Sequence, residues 1–369
     1  MKRNNVLGII FANSHDALLK ELTETRSMAS VPFGARYRLV DFMLSNMTNA
    51  GISEVGLVTK ANYFSLMRHL GSGKPWDLDR KHGGLSIYPP YSSGDAQVYK
   101  GRVEALYGIM ECLLEAEHEY VILCDTDVVA NIDFRALKKF HKEKKADITV
   151  VYAKGKKPKG QNDVMDFKMN KSGKITGVSF ADSDSCNYGL DVIVIKRELL
   201  IDLVNDAYNM GMVSFSHAII DAKYKELDIY GYCHEGFSVV MDGVKGYFEA
   251  NMALLDPDVR ADLFNRERPV FTNGKDDMPA KYGLESVVSN SLIADGCIIE
   301  GEVRNSVLFR DVIVAAGAVV ENCVLMEGST IGSGCELKYM ITDRFATVTE
   351  DKILDGRDGK FIIGKKETV

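Results

Sequence analysis

Nowhere does the chain carry an apolar run approaching the length of a membrane span, which excludes a helix that crosses a bilayer. An excess of basic residues is also missing: 45 Lys and Arg face 52 Asp and Glu, for a formal net charge of −7. Without a basic stripe, a nucleic-acid groove is excluded. No two cysteines stand at C-x-x-C spacing. The seven present are odd in number, and several sit inside apolar runs. They read as small buried hydrophobes of a reduced cytosol, not as a disulfide frame. The opening apolar run, Val6 to Ala12, is too short for a signal-peptide core with its cleavage site, so it reads as a first strand and the expected location is the cytoplasm.

What remains is an ordinary globular composition, 46% apolar and 26% charged, over 369 residues, enough for two full-sized cores. Up to about Ala253, Val- and Ile-rich strand-like runs (Val6–Ala12, Val55–Thr59, Tyr120–Cys124, Ile148–Ala153, Leu190–Ile195) alternate with helical stripes. One stripe is Leu39, Phe42, Met43, Met47 and Ala50, closed by Gly51. A second is Val103, Leu106, Met110, Leu113 and Leu114. Phe134, Leu137 and Phe140 make a third. Strand alternating with helix predicts a Rossmann-like α/β domain with a mostly parallel sheet covered on both faces.

The last third changes character. Ser291-Leu-Ile, Ser306-Val-Leu, Cys323-Val-Leu and a weaker Tyr339-Met-Ile each precede, three residues on, a second aliphatic cluster, with offsets of 15, 17 and 16 residues. Such a repeat without helical periodicity, with glycines at its turns (Gly301, Gly317, Gly328, Gly332, Gly334), predicts a parallel β-helix. The expected division is an α/β domain over 1–256, a linker over 257–284 marked by Pro257, Pro269 and Pro279, and the β-helix over 285–369.

The most specific stretch is Arg26 to Asn46. Its Phe33-Gly34, Arg36, Arg38, Leu39-Val40-Asp41-Phe42 and Leu44-Ser45-Asn46 closely resemble the bacterial glucose-1-phosphate adenylyltransferase (ADP-glucose pyrophosphorylase) family, nearest its GlgD-type subunits. Packing alone explains much of this motif, since Leu39, Phe42 and Met43 face a core while Asp41 and Asn46 can tie loop backbone. The resemblance spans nearly the whole chain and implies a nucleotidyltransferase domain followed by a left-handed β-helix. It also implies a reaction: ATP and glucose 1-phosphate giving ADP-glucose and pyrophosphate.

That family cradles phosphates on a Gly-rich loop after the first strand, assisted by an arginine and a lysine. Here the signature glycines fall on Asn13, Ser14 and Asp16, with His15 between them; the arginine falls on Leu18 and the lysine on Met28. Side chains replace the bare backbone that lets phosphate approach. Asp16 sets a like charge beside any polyanion, a penalty of roughly 1 kcal/mol even in a solvent-like dielectric. Leu18 and Met28 remove two cations from a chemistry that runs on positioned charge. The sugar side is similarly altered: the family's Glu-Lys-Pro falls near Phe180-Ala181-Asp182, and its Phe-Gly-Lys-Asp on Phe215-Ser216-His217-Ala218.

Two acidic strand ends survive, Asp125-Thr126-Asp127 and Asp242-Gly243. The resemblance implies Mg²⁺ on Asp125 and Asp242, an ion whose shell substrate phosphates complete. Acids at strand ends also cap helices, so a purely structural role stays open. The leading expectation is a catalytically impaired regulatory subunit that activates a catalytic sister chain in a hetero-tetramer or other oligomer, without nucleic acid or membrane. An active adenylyltransferase with an unusual loop is the alternative, and a D-x-D glycosyltransferase a weaker one.

Overall fold

A computed structural model describes residues 5–90, 99–159, 163–181, 186–357 and 361–369. Its centre is a nine-stranded sheet built from β1 (Val6–Phe11), β2 (Glu54–Val58), β3 (Gly84–Tyr88), β4 (Tyr120–Asp125), β5 (Ile148–Gly155), β6 (Asp166–Met169), β7 (Ile175–Ser179), β8 (Cys186–Lys196) and β9 (Ile229–Cys233). The spatial order is β7-β6-β8-β4-β1-β2-β3, with β5 paired to β8 and β9. β4, β1, β2 and β3 run parallel, as do β5 and β9, while β8 is antiparallel to β4, β5 and β6. β1 is buried at every position, as a central strand covered on both faces must be.

The helical stripes fold as expected in two cases out of three. α1 (Leu39–Asn49) is followed by Gly51 in the left-handed region at φ 74°. The second stripe splits into α2 (Arg102–Gly108) and α3 (Met110–Glu115), because the backbone leaves helical geometry at Ile109, and Leu114 turns out to solvent. The third is α4 (Phe134–Lys144), capped by Asp133, whose carboxylate accepts from the backbone of Arg135 and Ala136. Asp41 and Asn46 tie loops as their types suggested. Asp41 accepts from Arg38 N at 2.9 Å, and Asn46 bridges Ala130 O and Ile132 N at 3.0 and 3.3 Å.

The segment expected to be linker opens on a further helix, Pro257–Leu263, for which Asp256 is the cap and Pro257 the first residue. It closes on Lys281–Tyr282, already paired with Ile298–Ile299 as the first strand of the β-helix. The β-helix has three five-stranded parallel sheets, so each coil contributes three strands. In the three inner coils the third strand (Glu302–Arg304, Val319–Glu321 and Glu336–Lys338) buries only its middle residue, so it offers the sequence a single core position. The register also corrects the repeat by one residue: Val324 pairs with Ile341, so the fourth copy begins at Met340. Tyr339 stands where Asn290, Asn305 and Asn322 stand in the other coils, all four at positive φ. Asparagine tolerates that region, and tyrosine there hid the pattern.

Two apolar clusters line the faces of the central sheet, and a third fills the β-helix interior. A fourth joins the domains: Leu19, Leu22, Met28, Phe33 and Phe42 pack with Val307, Phe309, Met326 and Ile341. Across this seam, Arg26 donates to both oxygens of Asp343 at 2.7 and 2.8 Å, both side chains being almost fully buried. Removing one partner of a buried pair strands the other charge, at about 3–5 kcal/mol, whereas replacing both by apolar groups is far milder. Arg26→Ala is therefore expected to lower the thermal midpoint by several degrees. The double variant Arg26→Met/Asp343→Leu should melt above that single variant; losses that simply add would show that the two residues do not act as a pair.

Candidate functional site

The loop after β1 is held shut by its own side chains. Asn13, buried, donates from Nδ2 to Asp16 Oδ2 at 2.6 Å and to Ala61 O at 3.0 Å, while its Oδ1 accepts from Lys60 N at 2.9 Å. Asp16 Oδ1 accepts from Met28 N at 2.7 Å. Burial pushes the Asp16 carboxyl upward, and the bonds from Met28 and Asn13 oppose that shift. A backbone N–H and an amide thus converge on an internal carboxylate. Met28 is fully buried and Leu18 partly buried in the core shared with the β-helix, so both positions where the resemblance implies cations are packing positions.

Beside the loop, Asp125 ends β4 with both oxygens engaged. Oδ1 accepts from Thr126 N at 2.7 Å, and Oδ2 accepts from Arg102 Nη2 at 2.8 Å. Arg102 also meets Asp191, through Nη2 to Oδ2 at 3.1 Å and Nη1 to Oδ1 at 3.3 Å, and its guanidinium lies 5.4 Å from the centre of the Phe11 ring. Burial works against charge on Arg102, but Asp191 and Asp125 outweigh it and hold the guanidinium above its ordinary pKa. For Asp125, burial raises the pKa and Arg102 with His15 brings it below the ordinary value. Gly101 is what lets α2 begin here: a Cβ at that position would meet Val213 Cγ1 and O at 2.5 Å. His15 turns Nε2 toward Asp127 Oδ2 at 3.7 Å and Asp125 Oδ2 at 3.9 Å.

The other expected site residues lie apart from this cluster or have closed on themselves. Asp242 is half-buried and accepts from Lys159 N at 3.1 Å. On the sugar side, Phe180 and His217 pack ring against ring, 3.9 Å between centres. The backbone carbonyls of Phe180 and Ala181 take the buried ammonium of Lys157, the latter at 3.2 Å. Asp182 lies outside the described residues. The cavity that Asn13, Ser14, His15, Lys60, Arg102 and Ser216 line holds about 160 Å³, below the roughly 300–1,000 Å³ of a ligand pocket.

The family's Gly-Thr-x-Asp-Ala-Val segment falls on Gly101 to Leu106, which puts Arg102 at an altered helix start, but the resemblance gives neither Arg102 nor Asp191 a role. Their signals are chemical: an arginine at the first turn of a helix that starts beside an acidic strand end, and an aspartate inside the apolar run Leu190–Ile195. A buried acid in a central strand needs a cation, and Arg102 is that cation.

A larger cavity of about 440 Å³ lies at the seam of the two domains, lined by Arg36, Arg38, Arg310, Arg344 and Lys275 together with Glu327. Arg310 is buried, and its Nε and Nη2 have no hydrogen-bond partner among the described residues. Burial, then the like charge of Arg344, pulls the Arg38 guanidinium down to about 10.

Comparison with known proteins places this geometry. Residues 7–178 match the nucleotidyl transferase family, and residues 278–359 match the GlmU-like C-terminal hexapeptide family. The glycogen biosynthesis protein GlgD of Bacillus subtilis (strain 168) is 33% identical over 318 residues, covering 86% of this chain and 83% of that one. GlgD of Geobacillus stearothermophilus is 37% identical over 320 residues, with the same coverage of 86% and 83%. The glucose-1-phosphate adenylyltransferase of Clostridium novyi (strain NT) is 28% identical over 341 residues, or 87% and 85% of the two chains. Fold, hexapeptide coils and these relatives agree: the chain belongs to the family that unites the GlgD glycogen biosynthesis proteins with the glucose-1-phosphate adenylyltransferases.

Proposed function

We propose that the chain is a catalytically impaired partner subunit of glucose-1-phosphate adenylyltransferase, one that raises the activity of a catalytic sister chain. The observation that carries this reading is the self-filled site. Asp16 takes the donors that a phosphate would need, and Arg102 takes the carboxylate that a metal would need. Each donor or cation missing from a transition state costs about 2.7–4 kcal/mol, so the joint loss leaves at most trace turnover.

Mg²⁺ does not fit here. Both oxygens of Asp125 already accept hydrogen bonds, Asp242 accepts from Lys159 N, and the ion's remaining ligands would have to be phosphates that the loop no longer accepts. The rest of the molecule is intact, with continuous sheets and filled cores, as expected of a body kept for its contacts. The first coil of the β-helix leaves Tyr282, Leu284 and Val287 exposed, which supports a subunit contact at that end. The cationic cavity between the domains supports regulation by an anionic effector, since Arg310 Nε and Nη2, without a partner among the described residues, are stabilised by an anion.

Pyrophosphate release should be measured for this chain alone, the sister alone and the mixture at fixed sister concentration. The chain alone is expected to show trace activity and the mixture a gain of about 5–150-fold, the size of an ordinary coupling. A mixture no faster than the sister, or ordinary turnover by the chain alone, contradicts the proposal. Restoring the loop by Asn13→Gly, Ser14→Gly, Asp16→Gly and Leu18→Arg is expected to leave activity at trace level, because Met28 remains core and Arg102 remains on Asp125. Recovery to the sister's rate would show that the loop alone had silenced the site.

A further inference from the structure

Beside the Arg102–Asp125 pair, an imidazole and two carboxylates face one another: His15 from the loop, Asp127 just beyond β4, and Asp191 from the middle of β8. One donor atom from each lies within 4.8 Å of the other two, and both carboxylates are buried. His15 Nε2 is itself buried and has no hydrogen-bond partner among the described residues. Its separations from Asp127 Oδ2 and Asp125 Oδ2, 3.7 and 3.9 Å, are too long for one. Two ligands each about 2.0–2.2 Å from a shared ion stand roughly 3.0–3.7 Å apart, so the His15–Asp127 spacing matches a coordination shell better than a hydrogen bond.

We infer that His15, Asp127 and Asp191 form a binding site for a divalent transition ion of the Zn²⁺ or Mn²⁺ type, which staples the loop after β1 to the sheet. An imidazole nitrogen with carboxylates selects such ions, whereas Mg²⁺ prefers an all-oxygen shell. Asp191 serves both neighbours, since each of its oxygens can meet Arg102 through one lone pair and the ion through another. This ligand set differs from the Asp125 and Asp242 pair that the family resemblance implies, because His15 occupies a position inside the phosphate loop and Asp242 takes no part.

The inference does not depend on the subunit's regulatory role, and its test reads binding instead of activity. The full chain is stripped with chelator, dialysed and titrated calorimetrically with Zn²⁺, Mn²⁺ and Mg²⁺ in turn. One equivalent of Zn²⁺ or Mn²⁺ is expected to bind and raise the thermal midpoint, with no comparable response to Mg²⁺. His15→Gln and Asp191→Asn should each weaken binding at least tenfold, while Asp242→Asn leaves it unchanged. Circular dichroism identifies any variant that fails to fold; for such a variant, Mn²⁺ paramagnetic broadening of the His15 ring resonances in the unaltered chain gives the same information. The inference is overturned if neither Zn²⁺ nor Mn²⁺ binds, if Asp242→Asn abolishes binding while His15→Gln does not, or if the His15 resonances ignore Mn²⁺.

Discussion

A carboxylate buried at the end of a central strand has to be held by a cation, and everything at this site follows from which cation holds Asp125. Arg102 does so from the first turn of α2, and it reaches Asp191 as well. On the proposed reading, a metal shared with substrate phosphates then loses its anchor. The loop in which the resemblance implies a phosphate cradle satisfies itself: Asp16 is the anion, and Met28 N and the Asn13 amide are its donors. The site keeps the electrostatic pattern of a filled pocket while supplying both signs of charge from its own side chains.

The same substitution pattern ties the α/β domain to the β-helix. Met28 and Leu18 occupy positions where the family resemblance implies cations, and they now pack into the core that spans both domains. Two residues before Met28, Arg26 enters that seam and is fixed by Asp343. The backbone from Arg26 to Met28 thus runs directly from the interdomain ion pair to the donor that holds Asp16. A change in how the β-helix sits would reach the loop through three residues, a short physical connection between the two domains.

Much of this was legible in the sequence because it is periodic or local. Strand runs, the α1 and α4 stripes and the first three β-helix copies follow from apolar spacing, and the tying roles of Asp41 and Asn46 follow from residue type and position. The break at Ile109, the third strand of each coil and the Tyr339 register were hidden. Each depends on tertiary packing or on a turn conformation that a less typical residue had taken over. At the site, motif comparison located the losses at Asn13, Ser14, Asp16, Leu18 and Met28 but not their replacements. Arg102 and Asp191 are 89 residues apart, and they meet only because the first turn of α2 packs beside the paired strands β4 and β8.

The central claim, that the site is already occupied by its own charges, is tested most directly by titrating ATP with Mg²⁺ into the chain alone and following hydrogen exchange over residues 12–28. The account predicts no saturable binding at millimolar nucleotide and no change in exchange of that loop. Micromolar binding accompanied by protection of the loop would mean that Asp16 and Arg102 yield to the nucleotide, and would contradict it.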